Sequence, residues 1–478
     1  MLSNEASNLS LFEFCSKKEK GEREEEKVTI MKGSLVIRSR PGVGQFQNVI
    51  RWEEEDKDET QNEKEDETKD TNMMMVQVHV EAVGVNVDDI HLAEGTMILP
   101  ISAKVDEKVG VIPGIELSGT IISVEQGQQH EPRKVVGIKP CFYQTRGTWT
   151  SSVCFMKELW LANVPSHLSL LEAAALPITS CAALSCLRQS GLLVNGKNNP
   201  KKKRNDNVLQ FDDNLSGRTG GTQLVQPAVV IVGASGGIGT ILVQMLVRAS
   251  SYSSTVDPKQ QQRLYGRKSN LKVIAVSSSK SSDVCLKKCG AHEWIDRTNP
   301  KAVKELVEEI KSRQNIDCKV VFDLVGGLDI ENTYYPVLDK TATYVTMNGP
   351  REWIGDGDTL PTLRGTFMYM MSLLWRLIGW NYICWWGSLR GAKYAKADVP
   401  PTDAVGDLLR DAMLVVDQLK IKPVIDSVVD PKDSKALTTA IHKVRSHQSR
   451  GKVVLQFKSK QTSIVGRTMY QGTMTKYN

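Results

Sequence analysis

Val229, Val230, Ile231 and Val232 form an unbroken β-branched run that enters the sequence GASGGIG and emerges into Ile241, Leu242, Met245 and Leu246 at helical spacing. A buried strand must here turn directly into an amphipathic helix. Gly233, Gly236, Gly237 and Gly239 remove the Cβ atoms that would block so tight a turn. With Ala234, Ser235 and Ile238 they bring backbone N–H groups and a helix N-terminus to one point, the form of site that receives the pyrophosphate of a dinucleotide. A second strand candidate, residues 272–280, follows the helix and completes a βαβ unit. The plainer alternative is a βαβ turn that binds nothing.

A chain of 478 residues is long enough for two domains around a shared cleft. Its formal charge of +6 is small for that length, and the charges fall in local blocks of both signs, which argues against nucleic acid as a partner. Nine cysteines contain no CxxC pair, and the first residues lack an apolar signal core. A reducing, cytoplasmic setting is the expectation.

Residues 1–30 are polar and charged, as a disordered tail would be. From Ser34, SLVIRS and NVIRW are strand candidates that can pair. The acidic run within 53–72 has almost nothing to bury, and the strand pattern resumes at 76–85, so the run is a surface insertion inside one domain. Short β-like runs at 119–124, 134–138 and 149–155 predict a mostly antiparallel, barrel-like domain over 31–180. Residues 169–187 read as helix. Two further polar insertions, 195–221 with its KKKR and 250–270, read as solvated loops. Beyond 229, strands at 318–327 and 342–349 alternate with helices at 302–312 and 403–419, which predicts a parallel, doubly wound sheet in a domain over 181–420. The late strand 451–457 is expected to return to the first domain, followed by a tail at 458–478. The fold class is α/β.

The blocks VEAVGVNVDDIHLAEG, VIPGIELSGTI, GTWTSSV, LEAAALPITSCAALSCL, VVIVGASGGIG, VVFDLVGG, ATYVTMNGP and RGKVVLQF resemble, in this order, the medium-chain dehydrogenase/reductases, in their zinc-free quinone-oxidoreductase branch. The resemblance implies a GroES-like β-barrel domain joined to a Rossmann domain, with a nicotinamide cofactor in the cleft between them. Zinc alcohol dehydrogenases of this superfamily carry metal ligands where this chain has Asn86, Ile115 and Ile178, and their structural-zinc lobe needs cysteines that residues 97–112 lack. No metal is expected.

The resemblance sets Asn86 and Asp89 beside the nicotinamide and the acceptor, with Asn86 as a donor to a carbonyl oxygen; a plain Asn/Asp turn is the alternative. It places Tyr143 near the cleft, either as a hydroxyl donor or as a packed barrel aromatic, and it makes Glu116 a carboxylate that orders its neighbours. At the end of the second Rossmann strand an NAD enzyme needs an acid, whereas this chain has Ser277, Ser278, Ser279 and Lys280, which suit the 2′-phosphate of NADPH. Arg297 could add a second cation, or be a surface arginine. Val325 and Asn348, after the next two strands, complete the implied cofactor set. The implied activity is hydride transfer to a small-molecule acceptor, a quinone or an α,β-unsaturated carbonyl. Alternatives are an enoyl-thioester reductase, although that relative's catalytic Tyr falls near Met97 here, and a non-catalytic NADPH-binding interaction protein.

Residues 366–387 hold four tryptophans and form the most apolar stretch. Its length is borderline for spanning a bilayer, which needs about 20 apolar residues. The expectation is a helix buried over the cleft or at a homodimer interface; the alternative is a helix resting on a membrane surface. The resemblance also admits a mitochondrial location, although the N-terminus is too acidic for a transit peptide.

Overall fold

Alternation explains the first sheet. In β3 (Met75–Val85), Val76, Val78 and Val80 are buried while Gln77, His79 and Glu81 are half-exposed, and from Ala82 onward every residue is buried. A strand of this kind begins with one wet face and ends covered on both. Around it are β4 (Glu116–Val124), β5 (Arg133–Ile138), β6 (Val153–Lys157) and β7 (Leu161–Asn163), joined from the far end of the chain by β16 (Ile425–Val429) and β17 (Lys452–Gln456). The order is β16-β17-β3-β4-β5-β7, with β6 also on β3; every pairing is antiparallel except β16 with β17. The hairpin of β1 (Gly33–Ile37) and β2 (Ile50–Glu54) sets Leu35 opposite Trp52, and Leu35 N–H donates to Trp149 O at 3.0 Å.

The computed structural model describes residues 33–37, 50–54, 75–94, 112–124, 132–140, 147–151, 153–193, 219–220, 223–251, 271–348, 363–380 and 392–457. All lie in one unit, Lys32–Ser459. The two tails, most of the three insertions, Met97 and Tyr143 lie outside the described residues.

After β8 (Thr219–Gly220) and β9 (Gln223–Leu224), a two-strand pair, the second sheet begins with β10 (Gln226–Val232). It continues through β11 (Lys272–Ser277), β12 (Glu293–Asp296), β13 (Ile316–Asp323), β14 (Thr343–Thr346) and β15 (Lys393–Lys396). All pairs are parallel, in the order β12-β11-β10-β13-β14-β15. Strand order therefore reverses between β10 and β13, the place where doubly wound sheets bind dinucleotides. Val229 and Ile231 pack into one core cluster, and Ala228, Val230 and Val232 into another on the opposite face. Each fully buried Val or Ile stabilises the fold by about 1.5–3 kcal/mol. The first cluster also holds the inward residues of the antiparallel sheet, so both sheets share one core.

Helices are α1 (Val87–Glu94), α2 (Leu170–Ala173), α3 (Pro177–Ser190), α4 (Gly237–Ser251), α5 (Pro300–Ser312), α6 (Leu328–Tyr334), α7 (Leu363–Leu374), α8 (Val405–Gln418) and α9 (Ser434–Arg445). The single helix expected at 169–187 is two. Ser169 and Glu172 form a capping box on α2, and Pro177 opens α3, where its missing N–H costs nothing. The apolar stretch at 366–387 is α7 followed by a π-turn, Trp375–Trp380; residues 381–387 lie outside the described residues. Gly365, Tyr369, Leu373 and Arg376 face the protein. Arg376 Nε donates to Glu331 Oε1 at 2.8 Å, and Tyr369 Oη donates to Asn348 O at 3.1 Å. The expectation of a buried helix holds for that face alone. Phe367, Met370, Met371, Leu374, Trp375 and Ile378 are 45–62% exposed. No helix among the described residues is long and apolar enough to cross a membrane.

Candidate active site

The glycine turn lies at the switch point. Gly233 has φ +87°, a conformation that glycine adopts without steric cost, and a Cβ on it would come within 2.9 Å of Val325 Cγ2. A Cβ at Gly239 would collide with the carbonyl oxygen of Gly233, whereas one at Gly236 would meet only that oxygen, at 3.5 Å. The Gly233 and Ala234 amides both donate to Val276 O, and Gly236 N–H donates to Gly233 O. Helix geometry leaves the amides of Gly237, Ile238 and Gly239 without an acceptor inside α4. These three, with Ser235 beside them, are the donors an anion would meet, while Gly233 and Ala234 shape the turn.

Asp323 fixes the loop across the switch point. Its Oδ1 accepts from Val325 N–H at 3.0 Å and Gly326 N–H at 2.7 Å, and its Oδ2 accepts from Tyr344 Oη at 2.9 Å. Asn348 Nδ2 donates to Val325 O at 3.1 Å, so Asn348 holds this loop through its side chain.

A buried polar cluster adjoins the turn. Asn86 follows β3, and its backbone N–H donates to Asp89 Oδ2 at 2.8 Å, as in the turn that Asn and Asp favour. Its Nδ2 donates to Glu116 Oε1 at 2.9 Å and lies 3.4 Å from Asp89 Oδ2. Lys452 Nζ donates to Asn86 Oδ1 and is 2.7 Å from Glu116 Oε1. Ile178 N–H donates to Glu116 Oε2 at 2.8 Å. The whole amide of Asn86 is thus engaged within the protein, and the expectation that it donates to a substrate carbonyl gives way to a positioning role. Gly84 admits the cluster, since a Cβ there would collide with Glu116 Oε1.

Lys452 is the functional residue that the sequence reading missed. Its signal was a lysine opening an apolar strand, GKVVLQF. Gly451 N–H donates to Ser235 O at 2.8 Å, and the Lys452 stem would lie 3.6 Å from a Cβ on Gly237. The buried cluster and the dinucleotide turn therefore meet through two consecutive residues.

Burial pushes the Asp89 carboxyl up to about 8, against the pull of the Asn86 backbone N–H; Glu116 raises it further, and Lys452 opposes. Its Oδ1 is buried and has no hydrogen-bond partner among the described residues. The described cysteines are free and buried. Burial pushes Cys289 and Cys318 up to about 12 and Cys181 well above its ordinary value, so none of these three is a ready nucleophile.

At the end of β11 the candidate phosphate ligands divide. Ser277 Oγ points inward, accepting from Trp294 Nε1 at 2.9 Å and lying 3.5 Å from Cys285 Sγ. Ser278 Oγ is 3.0 Å from Ser281 Oγ, while Ser279 and Lys280 are exposed. Arg297 N–H donates to Ser277 O at 2.7 Å, which brings the exposed Arg297 to the same strand end. Tyr143 lies outside the described residues.

Two family models match the chain, the alcohol dehydrogenase GroES-like domain over residues 73–162 and the zinc-binding dehydrogenase over residues 289–455. No curated protein sequence matches it. Among solved structures it is similar to the quinone oxidoreductase from Coxiella burnetii, at 15% identity over 89% of this chain and 99% of that chain, with TM-score 0.54. It is similar to CurK enoyl reductase at 16% identity, over 90% and 100%, with TM-score 0.54. It is also similar to a mycobacterial protein solved in complex with NADPH, at 15% identity, over 89% and 100%, with TM-score 0.53. Identities this low establish a shared fold. That fold is a GroES-like domain with a Rossmann-like domain, each matched in part by one of the two family models.

The raised Asp89 carboxyl has a consequence for stability. The unfolded chain releases this proton near 3.8 and the folded protein near 8, so the folded state binds more protons across that window. Stability must fall as pH rises through it. Asp89→Asn keeps the acceptor for Asn86 N–H and has no proton to lose. The variant is expected to melt higher than wild type at pH 7, with the difference shrinking toward pH 4. Thermal melts at several pH values check this, and a difference independent of pH would contradict it.

Proposed function

We propose that the protein is an NADPH-dependent oxidoreductase that transfers hydride to a quinone or an α,β-unsaturated carbonyl without a metal ion. The observation that carries this reading is the junction of the glycine turn with the Asn86–Glu116–Lys452 cluster. A dinucleotide held on the α4 N-terminus would lie against that cluster. The similar structures named for quinone oxidoreductase, enoyl reductase and an NADPH complex support the same class. Within the family, NMMM, ATYVT, LKIKPVID and HKVRSHQSRGKVV resemble reticulon-4-interacting protein 1.

Bound NADPH would supply the hydride. Ser235, Gly237, Ile238 and Gly239 would hold its pyrophosphate, and Ser278, Ser279, Lys280 and Arg297 its 2′-phosphate. Zinc does not suit the residues present: Asn86 Oδ1 already accepts from an ammonium, and Ile115 and Ile178 offer no donor side chain. Among the described residues no group of three or more His, Cys, Asp or Glu is placed to hold a metal. Without a Lewis acid, the acceptor must itself spread the charge that hydride brings, as quinones and conjugated carbonyls do.

The exposed face of α7 favours a second element of this reading, a peripheral contact with lipid that would suit an apolar quinone. Six large apolar side chains lie on it and on the π-turn that continues it, and residues 363–380 contain no Asp or Glu. A second copy of the chain is the competing occupant.

Lys280→Ala is expected to weaken NADPH on the order of tenfold, about 1.4 kcal/mol, and to leave NADH unchanged. Ser277→Ala, which removes an inward hydroxyl, should leave the preference for NADPH intact. Calorimetric titration of both variants decides, and tighter binding of NADH by wild type would overturn the cofactor assignment.

Chelation should leave NADPH oxidation with a quinone or an enone unchanged. Zinc-dependent turnover would contradict the reading. Oxidation only with a trans-2-enoyl thioester would favour the enoyl-reductase alternative, and oxidation with no acceptor the non-catalytic one.

Flotation with anionic vesicles should carry the wild type upward, and Phe367→Ser with Trp375→Ser should abolish this. A protein that stays at the bottom and sediments as a dimer would assign the face to a second copy.

A further inference from the structure

Strand β13 leaves its sheet through a loop that the backbone alone holds loosely. Gly326 and Gly327 are consecutive and both left-handed, at φ +79° and +104°, and a Cβ on Gly327 would meet nothing within 4 Å. Glycine loses the most conformational freedom on being ordered, so side chains must hold this loop in place. Its position matters to the cofactor turn, since Val325 Cγ2 would lie 2.9 Å from a Cβ on Gly233.

The holds fall at both ends. At the entry, Asp323 Oδ1 accepts from the Val325 and Gly326 amides, and Asn348 Nδ2 donates to Val325 O at 3.1 Å. The exit is α6, which Gly327 caps and which carries the buried Glu331. Asn348 and Glu331 are themselves held by α7 and its π-turn. Tyr369 Oη donates to Asn348 O at 3.1 Å, and Arg376 Nε donates to Glu331 Oε1 at 2.8 Å. Tyr369 and Arg376 stand at i and i+7, on one buried face with Leu373, while Phe367, Met370 and Met371 on the rest of the helix are exposed. The two ends are also joined to each other. Tyr344, which donates to Asp323 Oδ2, stacks at 5.6 Å on Tyr394, which donates to Glu331 Oε2.

We infer that Tyr369 is a positioning residue of the cofactor site, and that through it and Arg376 the seating of α7 sets the affinity for NADPH; the inference rests on the cofactor reading above. Without the Tyr369 hydroxyl the Asn348 peptide is released, its side chain no longer fixes Val325 O, and the glycine pair lets the loop wander. Bound NADPH must then order the loop itself, which weakens binding. The linkage is reciprocal: a cofactor that orders the loop also steadies α7, the helix that presents the apolar face.

The test uses the full chain and NADPH. In calorimetric titration, Tyr369→Phe is expected to weaken NADPH about fivefold. Tyr335→Phe separates this role from a merely structural one. Tyr335 Oη makes the same kind of bond, to Ala392 O at 2.8 Å, and its ring packs on Tyr344 and Tyr394, but Ala392 lies just before β15 and supports neither end of the loop. Its loss should leave NADPH affinity within about twofold of wild type. In an Asn348→Ala background, where the link is already cut, Tyr369→Phe should add no further loss. Equal losses from the two tyrosines, no loss from Tyr369→Phe, or an undiminished loss in the Asn348→Ala background would each overturn the inference. Hydrogen exchange without cofactor supplies a second readout: residues 324–327 should exchange faster in Tyr369→Phe, and unchanged exchange there also overturns it. Should that variant not fold, exchange of the wild type with and without NADPH decides. Slowing is expected in both 324–327 and 365–376, and slowing that leaves 365–376 untouched overturns the coupling. A wild type that binds no NADPH overturns the cofactor reading together with this inference, whereas NADPH binding that is indifferent to Tyr369 overturns this inference alone.

Discussion

The structure depends on one buried ion pair. Lys452 comes from the last strand and Glu116 from β4, and their charges lie 2.7 Å apart where water is excluded. Removing one partner of such a pair typically costs about 3–5 kcal/mol, because the other charge is left buried and alone. That penalty fixes where β17 must run, between β16 and β3, although its sequence lies over 300 residues from β3. Since Gly451 is bonded to Ser235, the same constraint fixes the glycine turn against the antiparallel domain. A Cβ on Gly451, which has φ +95°, would collide with Val424 O, so the approach of β17 to the turn also requires glycine. The cofactor turn and the polar cluster are thus two ends of one short segment.

A second set of bonds runs along the other side of the switch point. Asp323 and Asn348 hold the 324–327 loop against Gly233, and Tyr369 of α7 is bonded to the backbone of Asn348. Arg376, just beyond α7, pairs with Glu331, which also accepts from Tyr394 Oη at 3.3 Å. The helix that exposes the apolar face is therefore anchored by polar groups to the loop at the switch point.

Local signals made part of this legible from sequence. The turn at 233–239 could be read because its glycine requirement is set within a few residues, and the β1–β2 pair because β1 is an apolar run and β2 alternates Ile50 and Trp52 with Arg51 and Glu53. β12 (EWID) and β15 (KYAK) were missed because charged residues end both of these four-residue strands, unlike the apolar and Thr residues of β14. Ser277 was misjudged against a signal that was present: Val273 and Ala275 face the first core cluster, so residue 277, two further on, faces inward as well. Lys452 showed only as a lysine opening an apolar strand, because its partners are brought to it by the return of the chain. Asn86 was read as free for substrate for the same reason, since nothing near it in sequence shows that Glu116 and Lys452 occupy its amide.

The nature of that cation bears on the chemistry. An ammonium with a carboxylate 2.7 Å away is largely neutralised by its partner, and two of its three N–H groups are directed at Glu116 and Asn86. It cannot polarise a carbonyl as an open metal site does. On the proposed metal-free reading, the stabilisation that a metal would give a developing oxyanion would come instead from delocalisation within the acceptor. An isolated ketone offers no such delocalisation, whereas a quinone or an enone does. On the proposed reading, a site built around the Lys452–Glu116 pair would favour conjugated acceptors by its electrostatics, before the shape of any pocket is considered.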